Sequence, residues 1–412
     1  MVAELITVNG RSYTWPRAPV VVVCIDGSEP AYMEQAVAGG HMPYLAKALE
    51  RGADLRADCV VPTFTNPNNL SIVTGVPPRV HGICGNFFLD PKTGEEVMMN
   101  DPKFLRSSTI FKAFHDAGAR VAIITAKDKL RKLLGHGLDY ASGRAVCFSS
   151  EKANQTTLAD NGVANAQAMV GLAIPDVYSA ALSEFIFVAG VKLMRSMRPD
   201  LMYLSTTDYI QHKHAPGTPV ANDFYAMLDR YWAELDGLGA LLALTADHGM
   251  NAKHDAAGRP DVIYLQDLFD NLLGTGTTRV ILPITDPYVA HHGALGSFAT
   301  VYLPQGADRG PLIERVSQQP GIQKVYDRRD GCAAFELPEE RLGDLIVISA
   351  QSTVLGTSAG QHDLSQLTEP LRSHGGVTEQ RVPLIVTRPV DVPAGHRLRN
   401  FDVFDIALNH VH

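Results

Sequence analysis

Little in this chain points toward a nucleic acid or a membrane. Lys and Arg number 36 against 44 Asp and Glu, a formal net charge of -8. Phosphate backbones need a basic surface, so this balance argues against nucleic-acid binding. No apolar run reaches the roughly 18 residues needed to span a bilayer. The N-terminal "MVAELITVNG" is acidic and polar where a secretory signal carries an apolar stretch. The five cysteines, Cys24, Cys59, Cys84, Cys147 and Cys332, are odd in number, scattered, and form no CxxC pair. That excludes a disulfide frame and a zinc knuckle. It predicts small core side chains in a reducing compartment, the cytoplasm. The first strand lacks GxGxxG, which removes a nicotinamide-binding reading. Long repeats and low-complexity tracts are also missing.

What is present is alternation. The chain has 412 residues, 45% of them hydrophobic, enough for one large domain with an insertion or for two domains. "PVVVCID", "RVAIITA", "PDLMYLST" and "ALLALTAD" read as buried strands. "STIFKAFHDAG", "FIFVAGVKLMRSM" and "FYAMLDRYWAELDGLG" read as helices between them, and "NNLSIVTG" as a short helix starting at an Asn cap. Such β–α alternation with near-continuous apolar strands predicts an α/β fold, a mostly parallel central sheet with helices on both faces. From about residue 265 the pattern changes. "SFATVYLP", "PLIERVSQQPG", "IQKVYDRRDGCAAFEL" and "DLIVISAQSTVLG" read as strand, helix, hairpin and strand, before "RVPLIVTRP" returns as a strand. The expected organisation is a catalytic core over 1–264 and 371–412, with a small α+β cap inserted over 265–370.

Strand ends carry the unusual residues. Asp26 ends the first apolar run, and Thr63, Thr65, Asn66, Asn68 and Asn69 follow the second. Asp208 lies just past a strand with His212 four residues on, Asp247 and His248 end another, and His374 sits in a Gly-flanked loop. Ligands of open parallel sheets bind at the carboxyl ends of strands. Each motif alone suits turn or capping chemistry; together they suit a metal site. Zinc takes imidazole nitrogen and carboxylate oxygen, and residues i and i+4 share a helix face. Three Asp and three His suffice for two ions. A Thr hydroxyl, too weakly acidic to attack by itself at neutral pH, becomes a nucleophile on a divalent cation.

"VCIDG", "TNPNN", "DYIQH", "ADHGM" and "SHGG…VPLIV" resemble, in order and spacing, the metal-binding motifs of the alkaline phosphatase superfamily. The nearer likeness is to the branch holding nucleotide pyrophosphatases/phosphodiesterases and phosphonoacetate hydrolase. The resemblance implies two Zn2+ per chain. Asp208, His212 and His374 would hold one, and Asp26, Asp247 and His248 the other, with Thr65 as its hydroxyl ligand and the nucleophile. Thr65 is preferred to Thr63 because the family pattern of Thr, any residue, Pro, Asn begins at 65. Asn86 matches the amide that donates to a phosphoryl oxygen. Asn69 departs from the diesterases, which often carry His there.

For the substrate, the informative stretch is "RVAIITAKDKLRKLL". Lys127 and Lys129, read as i and i+2 of extended chain, point the same way and suit a small anion with a carboxylate beside its phosphoryl group. "AKDKLRKLL" and the block ending in His254 are similar to phosphonoacetate hydrolase. The resemblance therefore implies C–P cleavage of phosphonoacetate to acetate and phosphate through a phosphothreonine. It also implies a small-molecule substrate, no nucleic-acid or membrane partner, and compatibility with a homodimer. The alternatives are a nucleotide pyrophosphatase/phosphodiesterase, for which no aromatic slot is evident near Phe87 and Phe88, and a non-catalytic metal- or anion-binding protein, against which Thr65 speaks. A cofactor-independent phosphoglycerate mutase would call for a Ser nucleophile and a much larger insert.

Overall fold

A run of four valines is apolar toward both sides of a strand, and "VVVVC" forms β1 (Val20–Cys24), all of it buried. "VAIIT", "AVCFS", "LMYLS" and "LLALT" likewise form strands buried along their whole length. The structure, a computed structural model, describes residues 5–285, 293–392, 395 and 397–412; residues 286–292 of the expected cap lie outside the described residues. After β1 come β2 (Ala53–Asp58), β3 (Val121–Thr125), β4 (Ala145–Ser149), β5 (Leu201–Ser205) and β6 (Leu241–Thr245). Next come β7 (Arg279–Ile281), β8 (Phe298–Tyr302), β9 (Ile322–Asp327) and β10 (Leu345–Ser349). These four make a separate antiparallel sheet in the order β7-β8-β10-β9. Then β11 (Arg381–Val386) rejoins the first sheet, whose order is β2-β11-β6-β1-β5-β3-β4. From β6 to β4 every pairing is parallel, and β11 alone runs against its neighbours.

Strand periodicity divides the core in two. Val21, Val23, Ile124, Leu204 and Leu244 belong to one apolar cluster with α4 (Ala181–Ser196) and α6 (Pro219–Gly237), through Phe185, Ile186, Phe224 and Trp232; α1 (Pro30–Ala38) packs there too. Val22, Ile123, Tyr203 and Ala243 belong to the other, with α2 (Thr65–Thr74), α3 (Asp128–Leu134) and α9 (Val403–Asn409). Each fully buried large apolar side chain stabilises by about 1.5–3 kcal/mol. The second sheet adds Phe298, Val301 and Ile346 to this same cluster, so its apolar face continues the core of the first. Between the two clusters the parallel strands end level: Cys24 is in register with both Ser205 and Thr245, and Thr125 with Ser205. The residues that follow emerge along one edge.

Two local readings are corrected. The helix expected to start at an Asn cap begins at Thr65, with Phe64 extended before it, so Asn66, Asn68 and Asn69 are buried inside α2. The expected hairpin "IQKVYDRRDGCAAFEL" is β9 followed by α8 (Arg328–Phe335), because the Asp327 side chain caps the Asp330 amide at 2.8 Å and starts a helix. The expected helix "PLIERVSQQPG" is α7 (Arg309–Ser317). All five cysteines are free and buried, as small core side chains should be.

The two sheets are tied by a buried cation. Lys253, fully buried, donates from Nζ to Ser297 Oγ and the Gln351 carbonyl, each at 2.7 Å, and to Glu379 Oε1 at 2.9 Å. Glu379 also accepts from the Gly376 amide at 2.9 Å and Asn251 Nδ2 at 2.7 Å, which anchors the loop that carries His374. Burial pulls the lysine below its usual pKa, against Glu379. Lys253→Met strands a buried carboxylate, so chemical denaturation should show a loss of about 3–5 kcal/mol, partly recovered in Lys253→Met/Glu379→Leu. A single-variant loss under about 1 kcal/mol would contradict the tie.

Candidate metal centre and active site

Where the strands stop, the chain turns polar. Asp26 lies two residues past β1, Asp208 three past β5, Asp247 and His248 just past β6, and Lys127 two past β3. Two glycines let these ends approach. Gly27 has φ +72°, and a Cβ on it would stand 3.1 Å from Asp208 Cβ; Gly375 has φ +125°, and a Cβ there would meet Phe64 at 2.6 Å.

The polar ends converge in two groups. Asp208, His212 and His374 place their ligand atoms within 4.8 Å of one another. Asp208 Oδ2 is 2.9 Å from His212 Nε2 and 3.7 Å from His374 Nε2. The second group is Asp26, Asp208 and His248, with His248 Nε2 3.3 Å from Asp26 Oδ1. Asp247 is outside that group, although its Oδ2 lies 3.8 Å from His248 Nε2. All six residues are buried. The rings of His248 and His374 stack at 3.6 Å, which brings the groups side by side.

Each imidazole is aimed in the same way. Nδ1 of His212 meets the Arg372 carbonyl at 2.8 Å, Nδ1 of His248 the Gly249 carbonyl at 2.9 Å, and Nδ1 of His374 the Thr63 carbonyl at 2.6 Å. A carbonyl only accepts, so Nδ1 carries a proton in each ring and Nε2 is the nitrogen that faces the carboxylates. This is the outer-shell arrangement that orients metal-binding histidines. For α5 (Tyr209–Lys213), which starts at Asp208, one helical turn explains why Asp208 and His212 reach one point.

The cluster is short of positive charge. Burial, then Asp208 and Asp247, push Asp26 well above the usual carboxylate range; burial, then Asp208, also raise Asp247. Burial works against ionisation of Asp208 too, yet His212, Lys127 and His374 outweigh it and hold its pKa well below the usual value. His248 is pushed up to about 10, the pull of Asp247, Asp26 and Asp208 overcoming burial, whereas burial and the neighbouring His248 and His212 drive His374 well down. Protons are thus drawn in where a cation would serve. Asp26 Oδ1 and His248 Nε2 are buried, and their 3.3 Å approach lacks hydrogen-bond geometry, so neither has a hydrogen-bond partner among the described residues. Imidazole nitrogen plus carboxylate oxygen is the donor set of zinc and similar divalent ions, and the residues fit such a group.

Around the carboxylates is a small pocket lined by Asp26, Thr65, Asn86, Lys127, Lys129, Asp208 and His374, with Ile284 reaching in from the loop after β7. Thr65 opens α2 and lines this pocket. Thr63 serves the backbone instead. Fully buried, its Oγ1 accepts from the Gly375 amide at 2.7 Å and donates to the Gly376 carbonyl at 3.1 Å. Asn86 Oδ1 accepts from the Asn66 amide at 2.9 Å, which leaves Nδ2 as its remaining donor. Lys127 is extended and precedes α3 at the N-cap position, while Lys129 lies in the first turn of that helix, so the two reach the pocket by a helix start and not by strand alternation. They also line a larger adjoining cavity of about 690 Å³. Burial and Lys127 push Lys129 down to about 7. His254 stays outside both groups, its Nδ1 on the Asp255 carbonyl at 2.8 Å. Phe88 packs edge-on against Phe104 at 5.0 Å and offers no stacking slot. Unforeseen in the sequence were Thr206, whose Oγ1 accepts the Asp26 amide at 2.9 Å, and the three carbonyls behind the histidines. Thr206 lies two residues before Asp208 in "STTD", a proximity that offered a cue; the carbonyls, being backbone, offered none.

A metal-dependent hydrolase of alkaline phosphatase type is the class that this fold and site define. The chain belongs to the type I phosphodiesterase/nucleotide pyrophosphatase family, whose model matches residues 20–376. It is similar over 99% of both chains to crystallised phosphonoacetate hydrolase from Sinorhizobium meliloti. The complex with phosphonoformate matches at 62% identity and that with phosphonoacetate at 61%, each with a TM-score of 0.96. Murine ectonucleotide pyrophosphatase/phosphodiesterase 5 shares the fold, with a TM-score of 0.63 at 16% identity over 94% of this chain and 93% of that one. An uncharacterized pyrophosphatase/phosphodiesterase of Schizosaccharomyces pombe is 32% identical over 96 residues, 23% of this chain and 19% of that protein. Human ectonucleotide pyrophosphatase/phosphodiesterase family member 1 is 38% identical over 77 residues, 18% of this chain. The chain spans 19% or less of the length of these curated relatives.

A cation that binds only the folded chain stabilises it by about 2.7 kcal/mol at a hundred times its Kd. Adding a divalent transition ion to chelator-stripped protein should therefore raise Tm by several degrees, and Asp208→Asn should blunt the rise. An unchanged Tm would contradict a metal centre here.

Proposed function

We propose that this protein hydrolyses the C–P bond of phosphonoacetate to acetate and phosphate. The observation that carries the reading is the pair Lys127 and Lys129 lining one pocket with Thr65 and Asn86, in a chain similar from end to end to a phosphonoacetate hydrolase. In this reading Asp208, His212 and His374 hold one zinc, and Asp26, Asp247 and His248 the other, with Thr65 as a further ligand. Residues 265–370 form a cap on the catalytic core. Zinc, when bound, supplies Lewis acidity that makes a hydroxyl nucleophilic and offsets phosphonyl charge.

The remaining chemistry belongs to the chain. Thr65 Oγ attacks phosphorus, forming a P–O bond as the C–P bond breaks. The bonding pair leaves on the acetate carbon, a very poor leaving group unless the adjacent carboxylate delocalises the charge as an enediolate. Lys127 and Lys129 face that carboxylate, so their grip tightens as charge develops, which is where binding energy accelerates a reaction. Asn86 Nδ2 donates to a phosphoryl oxygen. The carbon takes up a proton to give acetate, and water attacking in line frees phosphate and restores Thr65.

Thr65→Ala should keep metal and lose turnover, whereas Thr63→Ala, which spares the attacking group, should lose stability yet still turn over; the reverse pattern would mean the nucleophile is misassigned. Removing one charge-assisted contact costs about 1.5–3 kcal/mol, so Lys127→Ala and Lys129→Ala should each lower kcat/KM for phosphonoacetate about tenfold to a hundredfold. An activated aryl phosphate, whose leaving group has no carboxylate, should be cleaved nearly as before. Equal losses on both substrates would reject the carboxylate role.

A further inference from the structure

Asn69 lies one turn into α2, four residues after Thr65, fully buried. Its carboxamide uses every position it has. Nδ2 donates to the Thr65 carbonyl at 3.0 Å and to Asp247 Oδ2 at 3.1 Å. Oδ1 accepts from Tyr203 Oη at 2.7 Å and from Ser205 Oγ at 3.0 Å. The orientation of the amide follows, because a carbonyl and a carboxylate can only accept while two hydroxyls can donate.

The oxygen that Asn69 holds is the informative one. Asp247 Oδ1 already accepts two backbone amides, Gly27 at 3.2 Å and His248 at 3.0 Å. Oδ2 is the oxygen left for a cation. It faces His248 Nε2, and Asn69 is the side chain that donates to it. One rigid amide thus spans the carboxylate and the turn of helix that presents Thr65. Tyr203 and Ser205, on β5, brace it from behind. We infer that Asn69 is a positioning residue: it sets Asp247 Oδ2 relative to Thr65, so that one metal site and the attacking hydroxyl keep a fixed separation. This rests on the two-zinc reading above. The chemistry is demanding of residue type. A neutral imidazole has one N–H and can serve either Asp247 or Thr65 but not both, a carboxylate has no donor, and a longer amide overshoots.

The test measures zinc affinity on chelator-stripped protein by competition with a chromophoric chelator, beside apoprotein melting. Loss of an outer-shell partner lowers metal affinity about 10–100-fold. Asn69→Ala should weaken one of two zincs by that factor and leave the other as in the wild type. Tyr203→Phe, which removes a brace and spares the Asp247 contact, should lower Tm while keeping both affinities within about threefold. Should Asn69→Ala not fold, Asn69→Leu, nearly isosteric and with no donor for Asp247, should show the same selective loss. Unchanged affinities in the Asn69 variant, or both zincs weakened alike in step with Tm, overturn the positioning role. Wild-type protein that binds no zinc overturns the two-zinc reading instead, a separate and recognisable result.

Discussion

Two carboxylates whose oxygens lie within 4.8 Å, Asp26 and Asp208, would repel each other by about 3–4 kcal/mol at an effective dielectric of about 20 if both were ionised. Burial and this neighbour push Asp26 well above the usual carboxylate range. A third, Asp247, stands beside them, and all three are buried. No chain folds such a cluster without compensation, and much of the surrounding structure supplies it. Backbone amides of Gly27 and His248 grip Asp247, Lys127 and two imidazoles face Asp208, and the rest of the deficit is a space shaped for a cation. A marginally stable protein that keeps this repulsion keeps it for what a bound ion does there.

The fold serves this constraint through rigidity. Level strand ends bring the acids to one edge, and the apolar clusters on either face of the sheet fix those strands. His212 arrives on the short helix α5, but His248 and His374 arrive from loops, and loops need tethering. Thr63 ties down the Gly375–Gly376 turn, three backbone carbonyls set the imidazole tautomers, and the Lys253–Glu379 pair locks the His374 loop to the second sheet. The result is a set of Nε2 atoms aimed inward at the carboxylates, which is what preorganisation means for a metal site.

Much of this was legible in the sequence. Continuous apolar runs marked the parallel strands because strands covered on both faces have no polar side. Asp26, Asp208, Asp247 and His248 stood out because each stops such a run. Asp208 and His212 are one helical turn apart, and the structure brings them together with His374. Other features were not legible. Strand direction for "RVPLIV" depends on the path of the chain before it, and β11 turned out antiparallel. The Asp327 cap, which starts α8, competes with a turn of the same composition, so a hairpin and a helix looked alike. Lys127 and Lys129 share a pocket through a helix start, a geometry that spacing by two does not encode. Asn69 read only as a departure from the diesterases, which often carry His there; its contacts were not legible because its four partners, Thr65, Tyr203, Ser205 and Asp247, come from three separate parts of the chain.

The central claim is that this site breaks a carbon–phosphorus bond next to a carboxylate. Zinc-loaded protein incubated with phosphonoacetate, a nucleotide diester and p-nitrophenyl phosphate in separate reactions tests it most directly, with products followed by phosphorus and proton NMR. The account predicts acetate and phosphate in equal amounts from phosphonoacetate, at a kcat/KM well above that for the other two. Rapid cleavage of the diester with phosphonoacetate left intact would contradict it.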